Sequence, residues 1–228
     1  LSWLAGLGYL VCAPNFRGST GFGVGFMDSV LGDGCGVADV SDCVACARYL
    51  CALQRCRPQL RLDLSRGVGI AGHSWGGYLA LMCLLGRGQP EASPLFGCAV
   101  ASAAICDWEL QQRESHASAW TTHSLMGGSV KLDASAAERA NRVAPVTYAA
   151  ELCAPLLLLH GEEDAEVPYE QCRRFAEAAR RSQRPGASVQ CVPYAGEGHG
   201  MRGWGARTQE DSLRRIADFL RAHLGAAA

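Results

Sequence analysis

The chain has 228 residues, of which 49% are hydrophobic and 19% charged, and its formal net charge at neutral pH is −1. This composition is typical of one globular domain and excludes a chain that is disordered throughout. The charge balance gives no basic surplus for phosphate backbones or anionic lipid, so we expect neither nucleic acid nor a membrane as a partner. No run of about 18 apolar residues is present, so no membrane-spanning helix is predicted.

Five short apolar segments alternate with helical patterns along the chain. Near-continuous apolar runs are typical of strands that are buried on both faces of a parallel sheet. We predict strands over Tyr9–Phe16, Val68–His73, Cys98–Ile105, Pro155–His160 and Ser188–Tyr194.

Three segments between or after these strands have apolar residues at helical spacing. They are Asp39–Arg57 with Val40, Val44, Ala47 and Cys51, Pro168–Gln183 with Cys172, Phe175, Ala176 and Ala179, and a C-terminal segment with Leu213, Ile216, Leu220 and Leu224. The polar stretch 109–149 is expected to be an irregular or partly helical excursion. The alternation of strands and helices predicts the α/β class with right-handed crossovers, in a single domain.

Twelve cysteines are scattered along the chain, mostly among Ala, Val and Leu. Their scattered spacing does not favour a paired disulfide framework, and we expect most of them to be small buried hydrophobic residues. Cys43 and Cys46 have a zinc-like spacing, but no second ligand pair follows at the required distance. Residues 21–25 lack the glycine spacing of a dinucleotide-binding loop. The sequence therefore predicts no metal and no cofactor, and the cysteine pattern favours a reducing compartment, the cytoplasm.

Residues 72–76, Gly-His-Ser-Trp-Gly, lie between the second predicted strand and an apolar helical pattern, and Gly77 follows them. A Gly-x-Ser-x-Gly motif in this strand–turn–helix context is typical of a nucleophile elbow. Because the turn is tight, the serine must adopt a strained backbone, and a Cβ packed close to it would clash. We therefore expect Ser74 to be a nucleophile.

A serine hydroxyl needs an imidazole to take its proton, and the imidazole needs a carboxylate to hold its tautomer. In hydrolases of this topology, the acid and the histidine follow the serine on loops after later strands. Asp164 follows the fourth predicted strand, and the glycine-flanked His199 follows the fifth. We predict Asp164 as the orienting acid and His199 as the general base.

Several neighbours of these residues are weaker candidates. Glu162, Glu163 and Glu166 share the loop of Asp164 and are its rivals. His73 adjoins the serine, but at an elbow its side chain is expected to point away. We expect structural or solvated roles for the other histidines, which are His116, His123, His160 and His223.

With these residues in place, the chain resembles the catalytic domain of the prolyl oligopeptidase family of serine peptidases, particularly its acylaminoacyl-peptidase and dipeptidyl-peptidase-like branches. The blocks that carry the resemblance are GYLVCAPNFRGSTGFG from Gly8, DVSDCVACARYL from Asp39, GHSWGGY, LLLLHGEEDAEVP and YAGEGHGMR. The resemblance implies an α/β hydrolase fold and cleavage of short or N-acylated peptides through an acyl-enzyme, without a cofactor. It also implies catalytic roles for Ser74, Asp164 and His199, and makes the backbone N–H of Trp75 an oxyanion-hole donor.

Two departures from the family pattern bear on the domain organisation. A β-propeller normally precedes the catalytic domain, and the sequence contains none. The first three strands of the hydrolase domain should precede Gly8, together with a His-Gly-Gly-Pro loop that lends a second oxyanion donor. We therefore expect residues 1–228 to be one α/β hydrolase domain that is incomplete at its N-terminus.

Two other functions stay open at this point. A carboxylesterase or another ester or lactone hydrolase would use the same fold and triad. A hydrolase-like module that binds without catalysis is the second alternative, although the intact order of Ser74, Asp164 and His199 argues against it. No pattern in the sequence decides the oligomeric state.

Overall fold

The computed structural model of the protein describes residues 2–87, 95–116, 119–182 and 184–225. In this part of the chain, four parallel strands form one sheet in the order β1-β2-β3-β4. Their bounds are β1 Val68–His73, β2 Phe96–Ser102, β3 Pro155–Gly161 and β4 Ser188–Tyr194. Since neighbouring parallel strands require a crossover, the strands alternate with helical segments.

The described helices lie between, before and after the strands. They are α1 Ser2–Gly6, α2 Val24–Asp28, α3 Ala38–Cys56, α4 Trp75–Leu84, α5 Trp108–Glu114, α6 Ala119–Met126, α7 Ala134–Arg142, α8 Glu170–Ala179 and α9 Ala206–Leu224. Short 3₁₀ turns occur at Gly32–Gly34, Pro58–Leu60, Pro145–Glu151 and Met201–Gly203. None of the helices in the described residues is both long and apolar enough to cross a bilayer.

The sheet separates two hydrophobic clusters because successive side chains of a strand point to opposite faces. In β3, Leu156 and Leu158 belong to the cluster that includes residues of α3, α4 and α8. Leu157 and Leu159 belong to the cluster on the other face, which includes residues of α9. All four leucines are almost fully buried. The central strand is therefore apolar on both faces, as its continuous Leu run predicts.

Most of the predicted elements are confirmed. The predicted strands Val68–His73 and Ser188–Tyr194 have the observed bounds, and the other two differ from β2 and β3 by one to three residues at their ends. The predicted helix Asp39–Arg57 corresponds to α3, and the stretch 109–149 is partly helical as expected. The helix predicted over Pro168–Gln183 is shorter, Glu170–Ala179, and residue 183 lies outside the described residues. The single N-terminally incomplete domain stays a prediction.

The predicted strand Tyr9–Phe16 is wrong. This segment contains no strand, and Leu10 is 48% exposed. Side chains hold the segment instead, because Tyr9 Oη donates to Gly225 O at 3.2 Å and the Cys12 sulfur lies 3.2 Å from that of Cys46 in α3. An apolar run becomes a strand only where a neighbouring backbone completes its hydrogen bonds, and no strand in the described residues does so here.

The buried face of α9 also differs from the predicted stripe. Leu220 is buried, and Ile216 and Leu224 pack against the same cluster, but Leu213 is 40% exposed. Phe219 is buried in this cluster although the stripe omitted it. The helix is rotated slightly from the predicted orientation, so that the larger aromatic ring covers the sheet.

We expect Leu158→Ala to lower the free energy of unfolding by about 2–5 kcal/mol, because it leaves a cavity where the side chain is 1% exposed. The matched control is Leu213→Ala on the exposed edge of α9, which should change stability by less than about 0.5 kcal/mol. Urea unfolding followed by tryptophan fluorescence measures both. Equal losses in the two variants would contradict this description of the core.

Candidate active site

Ser74, Asp164 and His199 each follow the carboxyl end of a different strand, β1, β3 and β4 respectively. In a parallel sheet these ends lie along one edge, which is where α/β proteins bind their ligands. The sheet topology therefore brings together three residues that are far apart in the sequence.

The serine lies in a strained turn between β1 and α4. Its backbone has φ 56° and ψ −117°, and a positive φ is uncommon for a residue with a Cβ. The turn is held by Ser74 N, which donates to Ser102 O at 2.8 Å, and by Tyr78 N, which donates to Ser74 O at 3.0 Å. The surrounding structure thus fixes the serine above the sheet edge.

The glycines of the motif do not all have the same role. A Cβ on Gly72 would lie 2.1 Å from Gly76 O, and one on Gly77 would lie 2.8 Å from Ser102 O. A Cβ on Gly76 would meet nothing within 4 Å outside its own helix. Close backbone approach therefore requires glycine at Gly72 and Gly77, but not at Gly76.

Hydrogen bonds join the three predicted residues in one line. His199 Nε2 lies 2.8 Å from Ser74 Oγ, and His199 Nδ1 lies 2.7 Å from Asp164 Oδ2. Because the carboxylate only accepts hydrogen bonds, Nδ1 carries the proton and Nε2 is free to accept one from the serine hydroxyl. This is the arrangement in which an imidazole acts as a base toward a hydroxyl.

The Asp164 side chain is fully buried and held by its own loop. Its Oδ1 accepts hydrogen bonds from the backbone N–H groups of Glu166 and Val167 at 2.9 and 2.8 Å. Burial alone would raise the pKa of Asp164, but the His160 and His199 imidazoles and the Val167 amide hold this pKa well below its ordinary value. The carboxylate is therefore ionised at neutral pH.

His199 responds to the same contact in the opposite direction. Burial by itself lowers the pKa of His199, but the hydrogen bond and charge of Asp164, with a smaller effect of Glu166, raise it above its ordinary value. His199 is consequently a stronger base than a free imidazole.

The other acidic residues of the loop lie elsewhere. Glu162 and Glu163 are exposed. The side chain of Glu166 is 62% exposed, and its Oε2 lies 3.7 Å from His199 Nε2, at the mouth of the site. Of the four acidic residues, the structure places only Asp164 against His199 Nδ1.

Two further histidines lie next to the hydrogen-bonded line of Ser74, His199 and Asp164. His160 is fully buried, and its Nε2 lies 2.7 Å from Val167 O and 3.4 Å from Asp164 Oδ2. It therefore stabilises the loop that carries Asp164. His73 was expected to point away from the serine; its Nδ1 lies 3.2 Å from Ser102 Oγ, and its ring centroid lies 4.9 Å from that of His199. Burial, followed by the nearness of His199, lowers the pKa of His73, so its ring packs against the base as a neutral group.

A cavity of about 200 Å³ adjoins Ser74 and His199. Most of its apolar wall comes from Trp75, Trp108, Ile105, Leu125 and Val167, and its polar wall from Gln111, Thr121, Thr122 and Glu166. The ring centroids of Trp75 and Trp108 are 5.8 Å apart, and each also contacts Tyr78. The cavity can receive one apolar or aromatic side chain next to the serine.

A buried amide fixes one wall of this cavity. Gln171 in α8 accepts hydrogen bonds from the backbone N–H groups of Cys106 and Asp107, and donates to Asp107 O and to Gln111 Oε1. It thereby ties the start of α5 to α8. Sequence patterns did not single out Trp108, Thr122 and Leu125 as wall residues, because Trp108 lies between predicted elements and the other two lie in the stretch 109–149.

Three further features belong to the site and its surroundings. Trp75 begins α4, so its backbone N–H has no acceptor within the helix and is free to donate near Ser74. Arg17 makes a salt bridge with Asp42 of α3, with Nη2 2.8 Å from Oδ1, and is a structural tether. In the described residues no group of three or more His, Cys, Asp or Glu side chains is arranged to hold a metal ion.

The fold and site define an α/β hydrolase with a serine at its nucleophile elbow. The model of the prolyl oligopeptidase family matches residues 1–227, and the chain therefore belongs to this family of peptidases.

Known members of the family show the extent of the similarity. The chain is 28% identical over 193 residues to dipeptidyl-peptidase 5 of Porphyromonas endodontalis, covering 84% of this chain and 26% of that protein. It is 28% identical over 231 residues to the human acylamino-acid-releasing enzyme, covering 97% of this chain and 28% of that protein. A solved acylaminoacyl peptidase in complex with Z-Gly-Gly-Phe-chloromethyl ketone matches with a TM-score of 0.77 and 25% identity, covering 93% of this chain and 32% of that one. The chain thus spans about a third or less of the length of these relatives.

Alanine substitutions at the motif glycines test the backbone geometry. We expect Gly72→Ala to cost about 1–3 kcal/mol in unfolding free energy and to abolish fluorophosphonate labelling of Ser74, because the new Cβ overlaps Gly76 O. The matched control Gly76→Ala adds a Cβ in open space and should retain both properties. Thermal unfolding and gel-based labelling measure the effects. Loss of labelling in Gly76→Ala, with Gly72→Ala intact, would contradict this assignment.

Proposed function

We propose that this chain carries the catalytic triad of a serine peptidase that hydrolyses short or N-acylated peptides. The observation that carries the proposal is the continuous line of hydrogen bonds from Ser74 through His199 to Asp164. Membership of the prolyl oligopeptidase family supports it.

The geometry supports a two-step acyl transfer. His199 Nε2 takes the proton of Ser74 Oγ while this oxygen bonds to the carbonyl carbon of the scissile peptide. The resulting imidazolium passes the proton to the leaving nitrogen as the C–N bond breaks, which leaves the acyl group on Ser74. Water then attacks the ester in the same way and restores the serine. Asp164 stays ionised throughout and stabilises the imidazolium.

The developing negative charge on the carbonyl oxygen needs hydrogen-bond donors. The backbone N–H of Trp75 is such a donor, because it lies at the free N-terminal end of α4 directly after the nucleophile. Since this donor belongs to the backbone, substitution of the Trp75 side chain affects it only through packing.

The cavity beside Ser74 suggests the substrate class. Its Trp75, Trp108 and Leu125 walls suit an apolar or aromatic side chain on the acyl side of the scissile bond. The relatives named as acylamino-acid-releasing and dipeptidyl peptidases, and the solved neighbour with a blocked peptide ending in Phe, agree with such substrates. We propose N-acylated or short peptides with an apolar residue at this position.

We also propose that the protein works in the cytoplasm. No disulfide bond joins cysteines in the part of the chain that the structure describes, and Cys12, Cys56 and Cys153 are exposed, which suits a reducing compartment.

Substrate turnover tests the reaction. We expect the protein to cleave an N-acetyl-phenylalanine anilide as well as the corresponding p-nitrophenyl ester, and Ser74→Ala to lower both rates by at least about 10³-fold. Ser135→Ala, on the exposed start of α7, is the control and should retain full activity. Ester hydrolysis without anilide cleavage would contradict the proposed peptidase activity and indicate an esterase. Absence of turnover and of fluorophosphonate labelling would favour a non-catalytic module.

The pH dependence tests the roles of His199 and Asp164. Because neutral His199 is the base, the labelling rate should rise with pH through its pKa, with a midpoint above the ordinary value of about 6.5. Asp164→Asn removes the contact that raises this pKa, so the midpoint should move to lower pH and the plateau should fall by about 10³–10⁴-fold.

The matched control for this experiment is Glu166→Gln. This exposed carboxylate lies 3.7 Å from His199 Nε2 and is screened by solvent, so its removal should shift the midpoint less and leave the plateau nearly unchanged. An equal shift in the two variants, or a midpoint that rises in Asp164→Asn, would contradict the assignment.

A further inference from the structure

Two cysteines form a close pair away from the triad. Cys172 lies in α8 and Cys191 in β4, and their sulfur atoms are 3.2 Å apart. A disulfide bond has an S–S distance of about 2.05 Å, so the sulfurs need to approach by only about 1 Å. Both residues lie in regular elements, α8 and β4. The two thiols are therefore already close to each other in the native fold, without rearrangement of the backbone.

The two thiols differ in exposure. Cys172 is 2% exposed and packs in the hydrophobic cluster under α8. Cys191 is only half-buried, since β4 is an edge of the described sheet and pairs with β3 alone in this part of the chain. Cys191 is therefore the more accessible residue of the pair.

The two thiols also differ in acidity. Cys191 shares a hydrogen bond with Cys172, and this contact lowers the pKa of Cys191 against the effect of burial, with Arg180 and the Tyr169 hydroxyl lowering it further. The same contact, together with burial, raises the pKa of Cys172. Since the thiolate is the nucleophile in thiol chemistry, Cys191 is the reactive member of the pair.

A second pair of cysteines is equally close. Cys12 and Cys46 also have sulfurs 3.2 Å apart, with Cys12 exposed and Cys46 half-buried. Burial and the nearness of Cys12 raise the pKa of Cys46 to about 12. This pair therefore serves as an internal comparison in the same molecule.

We propose that Cys191 and Cys172 form a thiol–disulfide exchange site that reacts with low-molecular-weight disulfides such as glutathione disulfide. The Cys191 thiolate attacks one sulfur of the reagent, forming a mixed disulfide and releasing one glutathione thiolate, which takes up a proton. The Cys172 thiol, after losing its proton to solvent, attacks Cys191 Sγ and releases the second glutathione. The reagent gains two electrons, and the two protein thiols lose them.

Tyr169 connects this pair of thiols to the loop that carries Asp164. Cys191 accepts a hydrogen bond from Tyr169, which follows that loop, and the Tyr169 ring packs edge-on against His160 with centroids 5.8 Å apart. The exchange reaction itself does not involve Ser74, so it is tested independently of the hydrolase activity.

Peptide mapping of the reduced protein after incubation with glutathione disulfide tests the proposal. Free thiols are blocked with N-ethylmaleimide, and non-reducing tryptic digestion should give a cross-link between the peptides 143–173 and 182–202. Cys153 shares the first peptide and is exposed, so the control Cys153→Ser should keep the cross-link.

The single variants test the order of the two steps. Cys172→Ser should lose the cross-link and accumulate the glutathione adduct on Cys191, whereas Cys191→Ser should leave Cys172 unmodified. Cys172→Ala gives a second variant without the buried hydroxyl, and thermal unfolding shows that each variant is folded. Adducts on Cys172 in Cys191→Ser, or cross-linking of Cys12 to Cys46 while Cys172 and Cys191 stay reduced, would overturn the proposal.

Discussion

A buried, ionised carboxylate is the constraint on which the rest of the site depends. The Asp164 side chain has no contact with solvent, and a charge in such a place is stable only when hydrogen-bond donors surround it. Two backbone N–H groups of its own loop and the His199 ring supply those donors. The requirement shapes the loop after β3 and orients His199, which in turn determines the direction in which Nε2 faces.

The serine side of the site depends on close backbone packing rather than on charge. Ser74 keeps its strained conformation because β2 accepts its N–H and α4 begins directly after it. Gly72 and Gly77 allow the turn to approach Gly76 and Ser102 without a Cβ between them. Electrostatics thus positions His199, and steric fit positions Ser74.

Sequence patterns predicted those parts of the molecule in which one physical signal dominates. The Leu run of β3 was recognisable because a strand buried on both faces of a parallel sheet is apolar throughout, and Val68–His73 and Ser188–Tyr194 were recognisable as short apolar-rich segments that alternate with helical patterns. Ser74 was recognisable because a strained turn needs glycines around it. Asp164 and His199 were recognisable because, in this topology, the acid and the histidine follow later strands.

Other parts depend on tertiary neighbours and carry no local signal. Tyr9–Phe16 is as apolar as the true strands, but no described backbone pairs with it. The contact of His73 with His199 depends on how two loops meet above the sheet. The cavity wall at Trp108 and Thr122 comes from short helices whose amino-acid patterns are weak.

The order of the triad along the chain has a consequence for protein synthesis. Ser74 and His199 are 125 residues apart, and the strand that leads to the histidine forms one edge of the described sheet. A ribosome makes Ser74 long before His199, so the serine hydroxyl of a growing chain lacks its hydrogen-bond partner until β4 has emerged and docked. The hydrogen-bonded line of Ser74, His199 and Asp164 therefore forms only after this last described strand has joined the sheet.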